Sequence, residues 1–393
     1  MAKRTIGFIL MVMLLILYAS SVGEEQLKTD FTIEELLADY DQLWDIVDNN
    51  YPFLPVLVER GVGLEDLHRE NRALIGSRVT DLRGFYWLLG DMFHRMENLA
   101  HLEVVSADIF KTYQSLAVQY DLPDKALVFD PQTRVSYSYL GADDKTDLYA
   151  QNVPVKTDYF PEVSAAYFRF PSFGTSIVNK DNSLMSECLA PLPDVKHIII
   201  DITGNTGGNT DYWQYTIVSV FAERYEWKNL SFVRITPLSA PFYHNDCLQP
   251  ISALPDGFEK PAFVDAFGMT HYAAWRETYP KADYTGRQIT APLRRWLLVD
   301  EGVFSAAESF AGFCKNTGWA TLVGSITRGD GARVRGPIMV RLNKTGLLAR
   351  FTVESAINED ASPNAVTGTI PDYPCKPNES PLETCLRMIR NLP

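Results

Sequence analysis

The sequence is short of the features that would decide its class at once. Its 393 residues hold only five cysteines, too few for a disulfide scaffold. Lys and Arg number 36 against 49 Asp and Glu, a formal charge of −13, so the surface repels phosphate backbones and nucleic acid is not an expected partner. Beyond the first 23 residues no apolar run is long enough to span a bilayer. The glycines and prolines follow no fixed period, which excludes a collagen-like chain. There is no Gly-rich loop followed by Lys-Ser/Thr and no Gly-x-Gly-x-x-Gly turn, so neither nucleotide loop is present. No cofactor and no metal are expected.

What is present is an ordinary globular composition, 46% hydrophobic and 22% charged, enough to bury a core. Lys3 and Arg4 precede an apolar run from Ile6 to Tyr18, and small residues follow from Ala19 to Gly23. That three-part pattern over residues 1–23 predicts a secretory signal peptide, cleaved between Ser20 and Gly23, and hence a secreted or cell-envelope protein. The run is short for a membrane span, so contact with a membrane is expected only if it stays uncleaved. Residues 24–101 read as helical. Thr32 and Glu35 form a capping box, and Leu36, Leu37, Tyr40, Leu43, Trp44 and Val47 recur at helical spacing up to Pro52. Asp81 is the expected N-cap of a second helix carrying Leu82, Phe85, Leu88, Leu89, Met92 and Phe93. Residues 102–164 read as a β-rich connecting segment, with Ala126–Phe129 and Val135–Tyr139 as hairpin strands.

From residue 165 the pattern becomes α/β. Ala166–Phe170 is an expected strand, and Val195–Ile202, with Ile198, Ile199 and Ile200 in succession, reads as a strand buried on both faces. Arg295–Val299 and Ala320–Val323 are further strands, and helices are expected over Asp211–Ala222 and Ser305–Lys315. Residues 224–290, rich in proline and aromatics, read as a folded insertion or lid.

Two turns carry candidate chemistry. The first is Gly204-Asn205-Thr206-Gly207-Gly208, between a buried strand and a helix. It is either a tight turn or a cradle of backbone N–H groups for an oxyanion. The second is Phe304-Ser305-Ala306-Ala307-Glu308, where Ser305 is either a helix N-cap or an exposed nucleophile with the Ala306 N–H beside it.

Taken together the two turns resemble the tail-specific protease, or C-terminal processing peptidase, family. Gly324-Ser325-Ile326-Thr327-Arg328-Gly329 is similar to that family's Gly-x-x-Thr-x-Gly segment, and Gly368-Thr369-Ile370-Pro371-Asp372 to its closing Gly-Val-x-Pro-Asp. The resemblance implies an α/β catalytic core of ClpP/crotonase-like fold over 165–373, fed by the helical N-terminal region and followed by a tail at 374–393. No PDZ module is expected in 102–164. The resemblance further implies a serine endopeptidase acting on protein or peptide substrates through an acyl-enzyme on Ser305. The family's dyad lysine is absent, since its position lies in Gly329-Asp330-Gly331, and a guanidinium such as that of Arg328 or Arg333 cannot act as base. The His-type design, similar to the tricorn core, implies a histidine base, and His101 in Asn98-Leu99-Ala100-His101-Leu102 fits, with His94 as its rival. Glu359 is the expected orienting carboxylate, and Gly207 or Gly208 with Ala306 the oxyanion donors.

Two other readings stand beside this one. One is a non-catalytic relative that binds apolar ligands or peptides, since Ala100 and Asn364 depart from the tricorn-like pattern. The other is a crotonase-like acyl-CoA enzyme, disfavoured by the export signal. Export also permits disulfides: Cys375 with Cys385 is the expected pair, Cys314 the free thiol, and Cys188 meets Cys247 only if the insertion folds back.

Overall fold

In the computed structural model, which describes residues 27–119, 125–141, 154–174, 183–192, 194–243, 248–331 and 334–392, the N-terminal region is helical as its periodicity predicts. The expected signal segment, Cys247 and Arg333 lie outside the described residues. The Thr32 hydroxyl accepts the Glu35 N–H and the Glu35 carboxylate accepts that of Thr32, so the capping box closes at the start of α1, Ile33–Asn50. Helices α2, Leu54–Glu59, α3, Leu64–Leu74, and α4, Leu82–Arg95, follow, with Asp81 accepting the Gly84 N–H at the start of α4. The two apolar stripes, including Leu36, Tyr40, Leu43, Phe85, Leu89 and Phe93, are buried in one cluster.

A short strand β1, Glu103–Val104, leads into a segment that departs from expectation. The anticipated hairpins are the helices α5, Ala107–Gln119, α6, Lys125–Val128, and α7, Pro131–Tyr139. The reason is local. Asp130 accepts the Thr133 N–H at 2.9 Å and Pro131, lacking an N–H, sits in the first turn, so the pair nucleates a helix. The buried positions Thr133, Ser136 and Tyr137 then fall at helical spacing, and the apparent Ser/Tyr alternation is incidental.

The core is a six-stranded sheet in the order Tyr373–Pro374, Thr321–Gly324, Arg294–Val299, His197–Asp201, Ala165–Arg169, Lys156–Phe160. Strand β2, Lys156–Phe160, runs antiparallel to β3, Ala165–Arg169, and the other pairings are parallel. Helix α8, Leu184–Leu189, precedes β4, His197–Asp201, and helix α9, Thr210–Trp213, follows it, continuing as a π turn over Gln214–Val218. Both faces of the sheet are covered, which is why β4 reads as an uninterrupted apolar run. Ile198 and Ile200 face the cluster under the helix that follows Ser305, while Ile199 faces the C-terminal helix with Cys385 and Ile389.

The insertion is a folded part of the body. β5, Tyr225–Val233, pairs along nine residues with β7, His271–Tyr279. β6, Gln249–Pro250, and α10, Ala262–Ala266, lie between them. Phe232, Phe263 and Phe267 pack into the same cluster as the N-terminal helices, so the insertion joins the two halves of the chain. The chain continues through β8, Arg294–Val299, α11, Ala306–Thr317, β9, Thr321–Gly324, β10, Ile338–Arg341, β11, Leu348–Phe351, and β12, Glu354–Ala356. α12, Asn364–Thr367, β13, Tyr373–Pro374, and α13, Pro381–Arg390, close it.

The expected Cys375–Cys385 bridge is not formed. Cys375 follows β13 at the sheet edge, its N–H donating to Gly324 O, whereas Cys385 points from α13 into the apolar cluster under the sheet. Cys314 is buried and unpaired, and Cys188 is also free.

Candidate active site

His101 sits on the turn that leads into β1. β1 pairs antiparallel with β11, Glu103 opposite Arg350 and Val104 opposite Ala349, which brings the turn before β1 against the end of β11. The Thr352 N–H donates to Ala100 O at 2.8 Å, and Tyr51 donates its hydroxyl to Leu99 O at 2.7 Å, so the turn bearing the histidine is held from two sides. That turn is strained: Glu97, Asn98, Ala100 and His101 all have φ between 46° and 62°. Such conformations cost roughly 1–3 kcal/mol each and persist where the surroundings enforce them.

Ser305 joins β8 to α11 at φ 57° and ψ −122°. It occupies the N-cap position, yet its side chain makes no capping hydrogen bond. Its Oγ lies 3.2 Å from His101 Nε2. On the other side of the ring, His101 Nδ1 meets Asp330 Oδ2 in a short contact between two buried groups. Asp330 also has positive φ, 58°, and its Oδ2 accepts the Thr352 hydroxyl at 2.8 Å. The imidazole stacks on Phe304 with centroids 4.4 Å apart, and the Arg328 guanidinium lies over the same phenyl ring at 4.8 Å.

The glycine turn is pressed against the serine turn. A Cβ on Gly207 would fall 2.7 Å from Ala306 N and 2.8 Å from Ser305 Cβ, and one on Gly208 would fall 2.0 Å from Phe173 O. Only glycine fits either position. Asn205 organises the approach: its O accepts the Phe304 N–H, its Oδ1 accepts the Gly207 N–H at 2.8 Å, and its Nδ2 donates to Phe170 O. The Gly207 amide is therefore engaged, and its contribution is room and not a donor. The Gly208 and Ala306 N–H groups have no hydrogen-bond partner among the described residues, and they are the pair left for an oxyanion.

The expected site residues thus divide. Ser305, His101, Ala306, Gly207 and Gly208 converge. Glu359 does not: it lies exposed on the turn between Asn358 and Ser362, and the carboxylate that meets His101 is that of Asp330. His94 is exposed on the last turn of α4. In the sequence Asp330 stands out only as the residue replacing a lysine. The signal for its role is an acid between two glycines, which leaves its backbone free to turn inward. Among the described residues no group of three or more His, Cys, Asp or Glu side chains is placed to hold a metal.

Beneath Ser305, in the first turn of α11, Glu308 is fully buried. Its Oε1 accepts from Asn364 Nδ2 at 2.7 Å and from the Thr369 hydroxyl at 2.6 Å. Asn364 Oδ1 in turn accepts the Gly331 N–H, next to Asp330. Burial, with the nearby Asp330 charge adding to it and the hydrogen bonds opposing it, pushes the Glu308 carboxyl up to about 7. A raised carboxyl stabilises the fold fully only below its unfolded value of 4.5, and that contribution disappears as pH rises through about 7. At about 1.4 kcal/mol per pH unit the loss is on the order of 3 kcal/mol. Glu308→Gln, which keeps an acceptor for Asn364 and Thr369 but cannot ionise, is expected to unfold at a higher temperature than the wild type at pH 8 and at a similar one at pH 4.5. Thermal melts at both values check this.

A serine on a strained strand-to-helix turn, an imidazole within hydrogen-bond reach and two amide donors beside them are the parts of a nucleophilic hydrolase site. Comparison with known proteins gives the family. The profile of peptidase family S41 matches residues 164–375, more than half of the chain, and the chain belongs to that family. Among solved structures, a candidate peptidase from Parabacteroides merdae is similar at 18% identity and TM-score 0.52, over 90% of this chain and 96% of its own. It shares the fold. A mature CPAF complexed with lactacystin matches at 12% identity and TM-score 0.49, over 91% and 97% of the two chains. The photosystem II D1 C-terminal processing protease matches at 17% identity and TM-score 0.35, over 58% and 46%. No curated protein matches the chain.

Proposed function

We propose that this S41 peptidase is an exported serine endopeptidase that cleaves protein or peptide substrates through an acyl-enzyme on Ser305. The observation that carries the reading is the line Ser305 Oγ, His101 and Asp330, with His101 Nε2 3.2 Å from the hydroxyl and Nδ1 on the carboxylate. As Ser305 Oγ bonds to the scissile carbonyl carbon, His101 Nε2 takes its proton. The carbonyl oxygen becomes an oxyanion facing the Ala306 and Gly208 amides, and each such donor is worth about 3 kcal/mol in the transition state. The imidazolium then gives the proton to the leaving amine as the C–N bond breaks. Water, deprotonated by the same nitrogen, hydrolyses the ester and returns Ser305. Asp330 holds the ring with Nδ1 protonated, so that Nε2 carries the lone pair.

The chain thereby represents the His-type design, with an acid where the dyad lysine would stand. The complete hydrogen-bonded set favours catalysis over the reading as a binding protein. Export rests on the pattern of residues 1–23; among the described residues no helix is long and apolar enough to cross a membrane. Incubation with a fluorophosphonate, followed by peptide mapping, is expected to place one adduct on the peptide containing Ser305 and to stop turnover of an unfolded protein substrate. An adduct elsewhere, or undiminished turnover after complete labelling, overturns the assignment.

A further inference from the structure

We propose that Thr352 is a positioning residue of this site, the group that fixes the Asp330 carboxylate and the His101 turn relative to each other. The inference rests on the reading of Ser305, His101 and Asp330 as the reacting set. Three observations carry it. First, Thr352 makes two bonds to the two halves of the site: its N–H donates to Ala100 O at 2.8 Å, and its hydroxyl donates to Asp330 Oδ2 at 2.8 Å. Second, Oδ2 is the same oxygen that meets His101 Nδ1, so the hydroxyl acts on the atom that orients the base. Third, Thr352 has no solvent exposure and directly follows β11, the strand that pairs with β1.

The need for such a group follows from the backbone. His101 and Asp330, 229 residues apart in sequence, both sit at positive φ in segments that left-handed strain would otherwise relax. Each donor on a buried carboxylate restricts rotation about its last torsion. The Thr352 hydroxyl, on the same oxygen as His101, fixes that oxygen further and disperses part of its charge. The amide end of Thr352 does the same for the histidine turn. One residue at the end of β11 therefore couples both partners of the imidazole to a rigid strand.

Thr352 is separable from its neighbours by substitution. The charged and titratable groups around this pair are Glu308 from α11, Tyr51 from below the histidine turn, Arg328 beyond Phe304, the Arg60–Glu97 ion pair, and Glu354, which accepts the Val334 and Arg335 amides. None of these is altered by Thr352→Val. That substitution keeps the β-branched shape and the backbone N–H and deletes only the hydroxyl.

The test compares Thr352→Val and Thr352→Ser with the wild type. Thr352→Val is expected to lower kcat tenfold to hundredfold, as for loss of a hydrogen bond to a charged group, with KM within about twofold. The acid limb of its kcat/KM profile is expected to move to higher pH, because a carboxylate with one donor fewer holds the imidazolium more strongly. Thr352→Ser, which retains the hydroxyl, is expected to recover kcat to within about threefold and to restore the limb. A structural role alone would lower the melting temperature without moving the limb. Unchanged kcat and an unmoved limb in Thr352→Val overturn the proposal while leaving the peptidase reading intact. The proton NMR signal of His101 Nδ1–H gives a readout that needs no turnover. It is expected to shift in Thr352→Val and not in Thr352→Ser, and an identical signal in all three proteins also overturns the proposal. Absence of turnover in the wild type would instead count against the reading it rests on.

Discussion

Ser305→Ala is expected to reduce kcat on an unfolded protein or peptide substrate by about a millionfold, with little change in KM. The size follows from what the hydroxyl does: without it no acyl-enzyme forms, and loss of a triad nucleophile elsewhere costs about this much. KM should hold because the amides of Gly208 and Ala306 and the ring of Phe304 are untouched. A residual rate, roughly 10³–10⁴ above uncatalysed hydrolysis, should remain from those amides and from binding alone. The variant should also fold. The Ser305 side chain makes no capping hydrogen bond, so its removal takes nothing from α11, and alanine at φ 57° bears the same backbone strain as serine. The measurement is turnover by purified wild type and variant with melting curves for both. Equal turnover in the two proteins would remove Ser305 from the chemistry. Loss of turnover together with loss of the folding transition would show only that the variant had unfolded, and Ser305→Cys would then serve in its place.

The parts of this protein that sequence could reveal are those where one physical requirement dominates locally. The run Ile198-Ile199-Ile200 reads as a doubly covered strand because no other environment tolerates it, and the sheet has it at its centre. Thr32 with Glu35 and Asp81 with Gly84 mark helix starts because orphan amides need local acceptors. Residues 131–139 were open to misreading because the sequence alternates with period two while its capping pair, Asp130 and Pro131, calls for a helix; the cap prevails. The site divides in the same way. Ser305 and the glycines lie in turns whose neighbours announce them. Asp330 was visible as a departure from a lysine pattern, yet its use depends on its meeting His101 across 229 residues. Glu308 and Thr352 carry no local signal at all. Each matters through the register of a distant strand or helix, and an isolated Glu or Thr in an amphipathic segment has no feature that marks it as buried. Glu359 shows the converse: a carboxylate at a plausible distance along the chain from the closing motif is set facing solvent by the turn it occupies.

The carboxylate that orients His101 is separable from its rival by substitution. Asp330→Asn is expected to lower kcat by about 10³–10⁴, and Glu359→Gln to leave it within twofold. In the Asn variant the amide oxygen can take the place of Oδ2, because two donors converge there, the Thr352 hydroxyl and His101 Nδ1–H. The two hydrogen bonds at that oxygen are therefore preserved, and what is lost is the negative charge. In the transition state that charge faces the imidazolium. For unit charges about 4 Å apart, an effective dielectric near 20 gives about 4 kcal/mol, or about a thousandfold in rate, and any fraction of rings in the wrong tautomer adds to the loss. Glu359 has no such leverage, since an exposed carboxylate acts through water and mobile ions. The ground state should tolerate Asp330→Asn well, because the histidine it faces must be neutral to act as base and no buried ion pair is broken. Its loss should also lower the Glu308 carboxyl, whose elevation the Asp330 charge increases, so the loss of fold stability as pH rises above 4.5 should be smaller in the variant and complete at lower pH. Steady-state kinetics on both variants, with melts between pH 4.5 and 8 for Asp330→Asn, check each part. A large loss in Glu359→Gln with near-normal activity in Asp330→Asn would return the orienting role to the loop and remove Asp330 from the mechanism.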